Sequence, residues 1–398
     1  MGVFVKVIYT GEQTPATLNK SIFLMGPSLR PGQENELESW RNDALDILRD
    51  KGYDGVVFCP ENKNGHFNED FDYEAQIEWE EKHLNISDCI VCWCPRDLSP
   101  GKNGQAKLPA FTTNVEFGYW GSSGKMIFGA PPNADKIDYL KYYADKYNIP
   151  SAQTLIETLD NALEMLGEGV ERKDGERFIP LYIWKLPSFQ SWYQSQIKAG
   201  NRLEEAKLLF NFRPSYKDFI FLWILHAKVY IASEDRLKDN EFVLSRPDIS
   251  SVCLYHKSNA RLDDTKVILV KEFRTPTSTP DGFIRELPSG SSHHPDSAAE
   301  TAAEEVFEET GFYIEPNRLK KHLSRQLAGT LSAHQAHLYS VELNDQELEW
   351  FCSQKDLVHG NQDESERTFI EVYSIEELLN NPLTDWTTLG MLMEVVFS

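Results

Sequence analysis

Glu305, Glu308 and Glu309 stand at i, i+3 and i+4 in a segment, residues 297–310, that contains no Pro or Gly and is rich in Ala and Glu. The spacing predicts a helix that carries three carboxylates on one face. A solvated face is the commoner reason for an isolated pair of glutamates, but three crowded carboxylates favour a divalent cation. Hard oxygen donors suit Mg²⁺ or Mn²⁺, with water and substrate phosphate in the remaining positions. Pro295 and Asp296 mark the helix start, and Ala299, Ala302, Ala303, Val306 and Phe307 offer small and apolar surface for packing.

The surrounding residues, 286–312, read ELPSGSSHHPDSAAETAAEEVFEETGF. Gly290, the acid at Asp296, Glu305, Glu308, Glu309, Gly311 and the apolar Phe312 resemble the signature of the Nudix hydrolases, and the ELPSG before them resembles the strand and turn leading into it in the ADP-ribose pyrophosphatase branch. The resemblance implies an α/β/α sandwich with a mixed sheet, and Mg²⁺ or Mn²⁺ on Glu305, Glu308, Glu309 and Ser289. It also implies substrate contacts from Arg274 and Glu286, and a catalytic base in the polar loop GNQDESERT, where Glu364 and Glu366 are the candidates. Two positions depart from the pattern: the family's Glu is Asp296, and the Arg before the first metal-binding Glu is Glu304. That second change removes a cation that would orient the carboxylates.

A chain of 398 residues exceeds one typical domain. Composition and pattern divide it into residues 1–166, an aromatic-rich connector over 167–237, and 238–398. With 62 acidic against 40 basic side chains and a formal charge of -22, non-specific binding to nucleic acid or to an anionic membrane is excluded. Six cysteines without a secretory leader point to a reduced, cytoplasmic setting. Cys89, Cys92 and Cys94 lie in DCIVCWC, which alternates like a strand, with Cys92 and Cys94 on one face and Cys89 on the other; this suits buried small hydrophobes better than zinc ligands. The longest apolar run, 219–232, contains His226 and Lys228 and is too short to span a bilayer.

The front part alternates strands (VFVKVIYT, SIFLMGP, GVVFCPE, DCIVCWCPR, KMIFGAP) with helical stretches, of which residues 36–51 turn Trp40, Ala44, Leu45 and Leu48 to one side. The alternation predicts a layered α/β domain with a mostly parallel sheet. Ligands sit at the carboxyl ends of such strands, and these carry Gly26-Pro27, Pro60-Glu61 and Pro95-Arg96-Asp97. FLMGPSLRP, SWRNDAL, GYDGVVFCPE, QIEWEEKHL, CWCPRDL and FTTNVEFGYWGSSGKMIFGAP, in that order over roughly 18–150, resemble the nucleoside 2-deoxyribosyltransferase-like family. The resemblance implies that Glu116, two residues after Asn114, attacks the anomeric carbon of a nucleoside. A carboxylate can stabilise or trap the oxocarbenium-like state of N-glycosidic cleavage while an acid assists departure of the base. Asp97 and Glu61 are candidate acids, because the acid usual six residues before the nucleophile is Ala110 here. Arg30, Arg41, Arg96 and Lys125 are the local cations, suited either to a 5′-phosphate or to balancing an acidic neighbourhood.

Residues 167–174 turn polar and Gly-containing, as a linker does. IPLYIWKLPSFQSWYQSQIKAGNRLEEAKLLFNF reads as a strand and a long helix, and its aromatic load with Trp223 suggests packing between domains or across a homodimer. Together these patterns predict a bifunctional enzyme acting on a small-molecule nucleotide or nucleotide-sugar: N-glycosidic cleavage or transfer in front, metal-dependent hydrolysis of a nucleoside diphosphate-linked compound behind. NAD would join the two chemistries, and damaged or modified nucleotides are a second substrate class. The alternative is a sensor whose altered Nudix box binds a nucleotide without turnover.

Overall fold

SIFLM is apolar or small at every position, and all five residues are buried in strand β2 (Ser21–Met25), which is covered on both faces. The computed structural model describes residues 5–29, 38–63, 72–102, 104–213, 220–292, 298–360 and 367–398. It comprises two compact units, Met1–Val243 and Leu244–Ser398.

In the first unit, β1 (Lys6–Tyr9), β2, β3 (Val56–Cys59), β4 (Cys89–Trp93), β5 (Met126–Gly129) and β6 (Ser151–Ala152) form a sheet in the order β1-β3-β2-β4-β5-β6, with every pairing parallel. Period-two alternation separates two cores. Phe23, Met25, Phe58, Cys92 and Phe128 pack with α2 (Tyr73–Ile86), α3 (Phe111–Trp120) and α4 (Asp138–Lys146) on one face. Ile22, Leu24, Val57, Val91 and Ile127 pack with α1 (Trp40–Asp50) and α5 (Leu155–Leu166) on the other. Trp40, Ala44, Leu45 and Leu48 are the inward residues of α1, as their spacing predicts. Cys92 and Cys94 share one core and Cys89 lies in the other; all three thiols are free and buried, and burial raises their pKa values. The chain leaves β2 toward β3 on one side and returns to β4 on the other, so the sheet has its topological switch point between the ends of β2 and β4.

The polar stretch 167–174 is more than a linker. Arg172 lies in a short strand paired with Thr17–Leu18, is fully buried, and grips Asp88 through two bonds, Nη1 to Oδ1 at 2.7 Å and Nη2 to Oδ2 at 2.6 Å. Asp88 also accepts from Ser21 Oγ and from the Leu181 N–H. The connector differs from its sequence reading as well. IPLYIW gives the short helix α6 (Leu181–Trp184), not a strand, and the expected long helix stops as α7 (Pro187–Lys198), with Gly200 in the left-handed region just beyond. Residues beyond it form β7 (Arg202–Phe212), antiparallel to β8 (Leu222–Ile231) in a sheet completed by β9 (Arg236–Ser245). Cross-strand pairing outweighed the helix-forming composition of RLEEAKLL.

In the second unit, β10 (Asp248–His256) pairs parallel with β14 (Gln335–Glu342) and antiparallel with β11 (Lys266–Phe273) and β13 (Ser289–Ser292). β11 in turn pairs antiparallel with β12 (Phe283–Glu286) and β15 (Thr368–Ser374). This mixed sheet carries α8 (Ala298–Thr310) and α9 (Asp345–Ser353) on one face, through Ala302, Val306 and Phe351. The other face carries α10 (Ile375–Leu379) and α11 (Trp386–Val396). Phe307 does not join the packing face of α8, being largely exposed. Among the described residues no helix is long and apolar enough to cross a membrane.

Removing one partner of a buried pair leaves an uncompensated charge. Asp88→Ala is therefore expected to destabilise the first unit by about 3–5 kcal/mol, read as hydrogen exchange of its peptides in increasing urea. Asp54→Ala, which breaks a partly exposed pair with Lys20, is expected to cost less than about 1 kcal/mol. Equal effects would contradict the role given to Asp88.

Candidate functional site

Arg41, on the first turn of α1, is buried beneath the turn that follows β2. Its Nε donates to Leu24 O at 3.0 Å, Nη2 to Gly26 O at 2.8 Å, and Nη1 to Pro27 O at 3.3 Å, Ser28 Oγ at 3.1 Å and Glu61 Oε1 at 2.7 Å. The neighbouring Trp40 Nε1 donates to Pro27 O. Only glycine fits at position 26, because a Cβ there would lie 2.2 Å from the Trp93 carbonyl oxygen and 2.8 Å from the Trp40 ring. Above this turn opens a cavity of about 660 Å³, bounded by residues 25–29, by α2, and by the start and one face of α3. It lies at the carboxyl ends of β2 and β3, between α2 and α3.

Three glutamates line the cavity, Glu116 from α3 and Glu80 and Glu81 from α2; Glu81 is exposed, and Glu80 and Glu116 are half-buried. Burial pushes the Glu116 carboxyl up to about 8; the charge of Glu80 adds to the rise and that of Arg41 opposes it. Glu80 is raised too, chiefly by burial, and accepts a bond from Gln76 Nε2 at 2.5 Å that opposes the rise. Two carboxylates in one desolvated site cannot both ionise readily, which suits a pair holding one proton between them. Glu80 was missed by sequence reasoning. Its signal was helical spacing: Tyr73, Ile77, Glu80 and Leu84 share one face of α2, and an acid on such a face marks a site.

Other residues singled out from sequence are placed as follows. Gly26 and Pro27 line the cavity. Glu61 does not, because its carboxylate is occupied by Ser39 Oγ and Arg41. Asp97, half-buried in a hairpin, is held below the usual carboxylate range chiefly by the Ser99 side chain and does not line this cavity. Arg96 donates to Lys136 O and Asn114 Oδ1, fixing a loop to α3, and neither Arg96 nor Asn114 lines the cavity. Lys125 is a helix cap: its Nζ donates to Leu84, Asn85 and Ser87 carbonyls at 2.6, 2.9 and 2.9 Å, and burial lowers its pKa to about 7. For Arg96 and Lys125, open to a 5′-phosphate or to an acidic neighbourhood by sequence, the partners are instead the Lys136 carbonyl and the Asn114 side chain, and the carbonyls at the end of α2. Ala110, at the family's acid position, lines the cavity with left-handed backbone at φ 55°. Arg30 lies outside the described residues.

In the second unit, Glu309 is buried and accepts the Ser289 N–H at 3.1 Å; Ser289 Oγ turns away, donating to Leu287 O at 2.7 Å and lying 2.9 Å from Ser251 Oγ. Glu305 packs over Gly290, where a Cβ would fall 1.7 Å from Glu305 Oε1. Glu308 is exposed. Arg274 and Glu286 bond each other at 3.0 Å, and Arg274 also reaches Glu272 at 2.8 Å. Burial lifts Glu309 well above its ordinary value, and Glu305, Glu286 and Glu272 raise it further. The mutual repulsion of these hard oxygen donors is of the kind a divalent cation relieves. Among the described residues, however, no group of three or more His, Cys, Asp and Glu side chains is arranged to hold a metal ion. The helix spacing was read correctly, but Glu309 turns into the fold while Glu308 faces solvent. Glu364, Glu366 and Asp296 lie outside the described residues.

Residues 19–134 match the family model for nucleoside 2-deoxyribosyltransferase-like proteins. The matched span contains β2 to β5 and the whole cavity, so the first unit carries a nucleoside 2-deoxyribosyltransferase-like domain. Among curated proteins none matches the chain.

The Glu116 carboxyl is expected to titrate near pH 8 in ¹³C NMR of labelled glutamate, staying protonated below that value. Glu80→Gln removes a neighbouring negative charge, so the midpoint should fall. A Glu116 midpoint in the ordinary carboxylate range, unmoved by Glu80→Gln, would show that the two groups do not share a desolvated site.

Proposed function

We propose that the chain is a nucleotide-metabolising enzyme whose first unit cleaves or transfers at an N-glycosidic bond. The observation that carries this is the Glu80–Glu116 pair facing one cavity at the carboxyl ends of β2 and β3, inside the span matched to the family. Glu116, once ionised, bonds to or stabilises the anomeric carbon as the glycosidic electrons leave with the base. Glu80 supplies the proton that the departing base takes up. Positive charge growing on the sugar favours the ionised form of Glu116, and its neighbour Glu80 holds the proton released. Water or an acceptor hydroxyl or base then takes the sugar. Gln76 orients Glu80, and the residue 26–28 turn, fixed by Arg41, forms the floor against which the sugar rests.

The second unit, on this proposal, hydrolyses a nucleoside diphosphate-linked compound of the ADP-ribose type. Glu305, Glu308 and Glu309 would hold Mg²⁺ or Mn²⁺, which when bound polarises the phosphates and acidifies a water. Arg274, steadied by Glu272 and Glu286, is the cation placed to meet a phosphate. NAD is a substrate that both sites could process in turn, first to nicotinamide and ADP-ribose and then to AMP and ribose 5-phosphate. Glu304, standing where the family pattern has an Arg beside the carboxylates, favours a second reading of this unit as a regulator that binds nucleotide without turnover.

Glu116→Ala is expected to slow base release by on the order of a thousandfold or more, because the group acts in bond breaking. AMP formation by the second unit should be unchanged. Base release within about threefold of wild type would leave the first unit a nucleotide-binding module. For the second unit, incubation with ADP-ribose and Mg²⁺ is expected to give AMP, abolished by Glu308→Gln or Glu309→Gln in folded protein. Intact ADP-ribose recovered bound to the wild type would establish the sensor instead.

A further inference from the structure

Five large apolar side chains stand exposed around the mouth of the cavity. On α3, Phe111, Val115 and Tyr119 recur at i, i+4 and i+8 and are 66, 74 and 60 % exposed. On α2, Tyr73 and Ile77 are one turn apart and are 60 and 47 % exposed. The core contacts of these helices are made by Phe117 of α3 and by Trp79 and Leu84 of α2, and Tyr119 meets Trp120 edge-on. Large apolar side chains exposed together beside one cavity mark a place where something binds.

Its position indicates what. All five residues line the cavity that holds Glu80 and Glu116. On α3 the row Phe111–Val115–Tyr119 runs directly beside Thr112, Glu116 and Trp120, and on α2 Glu80 follows Ile77 by three residues. The polar groups that suit a pentose are therefore on the deeper side, in Glu80, Glu116, Gln76 and the backbone of residues 26–28. The rim is aromatic and aliphatic, suited to the flat face of a leaving group. At about 660 Å³ the cavity lies well inside the roughly 300–1,000 Å³ range of sites that enclose a drug-sized ligand.

We infer that this rim is a subsite for an enlarged apolar nucleobase, one carrying an extra fused ring or an aryl substituent, and that it makes the site prefer modified nucleosides to ordinary ones. The inference rests on the N-glycosidic reading of the same cavity. Phe111 and Tyr73, the first residues of their helices, stack on the added ring, and Val115 and Ile77 close its edges. These residues set specificity and take no part in bond breaking.

The test is base release by the full chain from adenosine, 1,N6-ethenoadenosine and N6-benzyladenosine. Both enlarged substrates are expected to show kcat/KM on the order of tenfold or more above adenosine, mostly through KM, as gained stacking on aromatic side chains implies. Phe111→Ala should collapse that ratio, whereas Phe111→Trp should keep it. Equal or better cleavage of adenosine would overturn the proposal, as would a truncation that slows all three substrates alike. If no substrate releases base, the N-glycosidic reading fails, and the rim is judged by binding alone through the fluorescence anisotropy of ethenoadenosine. Binding lost in Phe111→Ala then supports the subsite, and no binding to the wild type overturns it. A second copy could also cover the rim. Should Phe111→Asp turn a dimer into a monomer in sedimentation while the substrate ratio stays unchanged, the rim belongs to a subunit interface and the proposal falls.

Discussion

A guanidinium cut off from water needs partners for its donors, and Arg41 directs Nε, Nη1 and Nη2 to three carbonyls at the end of β2 and just beyond it, one hydroxyl and the Glu61 carboxylate. The turn at Gly26 and Pro27 consequently has one shape, and the cavity floor is rigid before any ligand arrives. These bonds commit Arg41 to the turn and to Glu61. Its charge still reaches Glu116, where it opposes burial and Glu80 without overcoming them. A cavity whose carboxylates are kept partly protonated by their surroundings suits acid-assisted departure of a base better than capture of an anion.

Structure that follows local periodicity was legible in the sequence. The inward face of α1, the split of Cys89 from Cys92 and Cys94, the parallel front sheet and the existence of α8 all follow from 3.6- or two-residue repeats. What escaped depends on partners distant in sequence. Arg172 looked like part of a linker, yet it meets Asp88 across 84 residues. Arg96 and Lys125 looked like ligand cations, but whether a cation faces a ligand or a carbonyl is decided by tertiary packing. Glu80 was one of several glutamates in QIEWEEKHL; helical spacing sets it on the face of Tyr73, Ile77 and Leu84, but that this face meets a cavity depends on where α2 packs. RLEEAKLL has helix-forming composition and became a strand because β8 offered pairing along its length.

The second unit shows the limit of spacing as a guide to chemistry. Residues at i, i+3 and i+4 do share one side of a helix, but on α8 they span the boundary between core and solvent, with Glu309 inside and Glu308 outside. The acidic neighbours Glu272 and Glu286 come from β11 and β12, and the Glu272–Arg274–Glu286 bridge next to Glu309 is visible only after those strands pair. Both units thus set carboxylates against one another in desolvated surroundings, one over an apolar-rimmed cavity and one beside an arginine. That shared electrostatic arrangement underlies the two different chemistries proposed for them.

The central claim is that Glu116 acts directly at the anomeric carbon. A 2-deoxy-2-fluoro nucleoside slows loss of a glycosyl group from the enzyme, so intact-mass and peptide mass spectrometry after brief incubation can locate the sugar. The account predicts one equivalent of fluorosugar on the peptide containing Glu116, appearing together with one equivalent of free base. Stoichiometric release of base with the sugar bonded to Glu80 or to another side chain, and Glu116 unmodified, would contradict it.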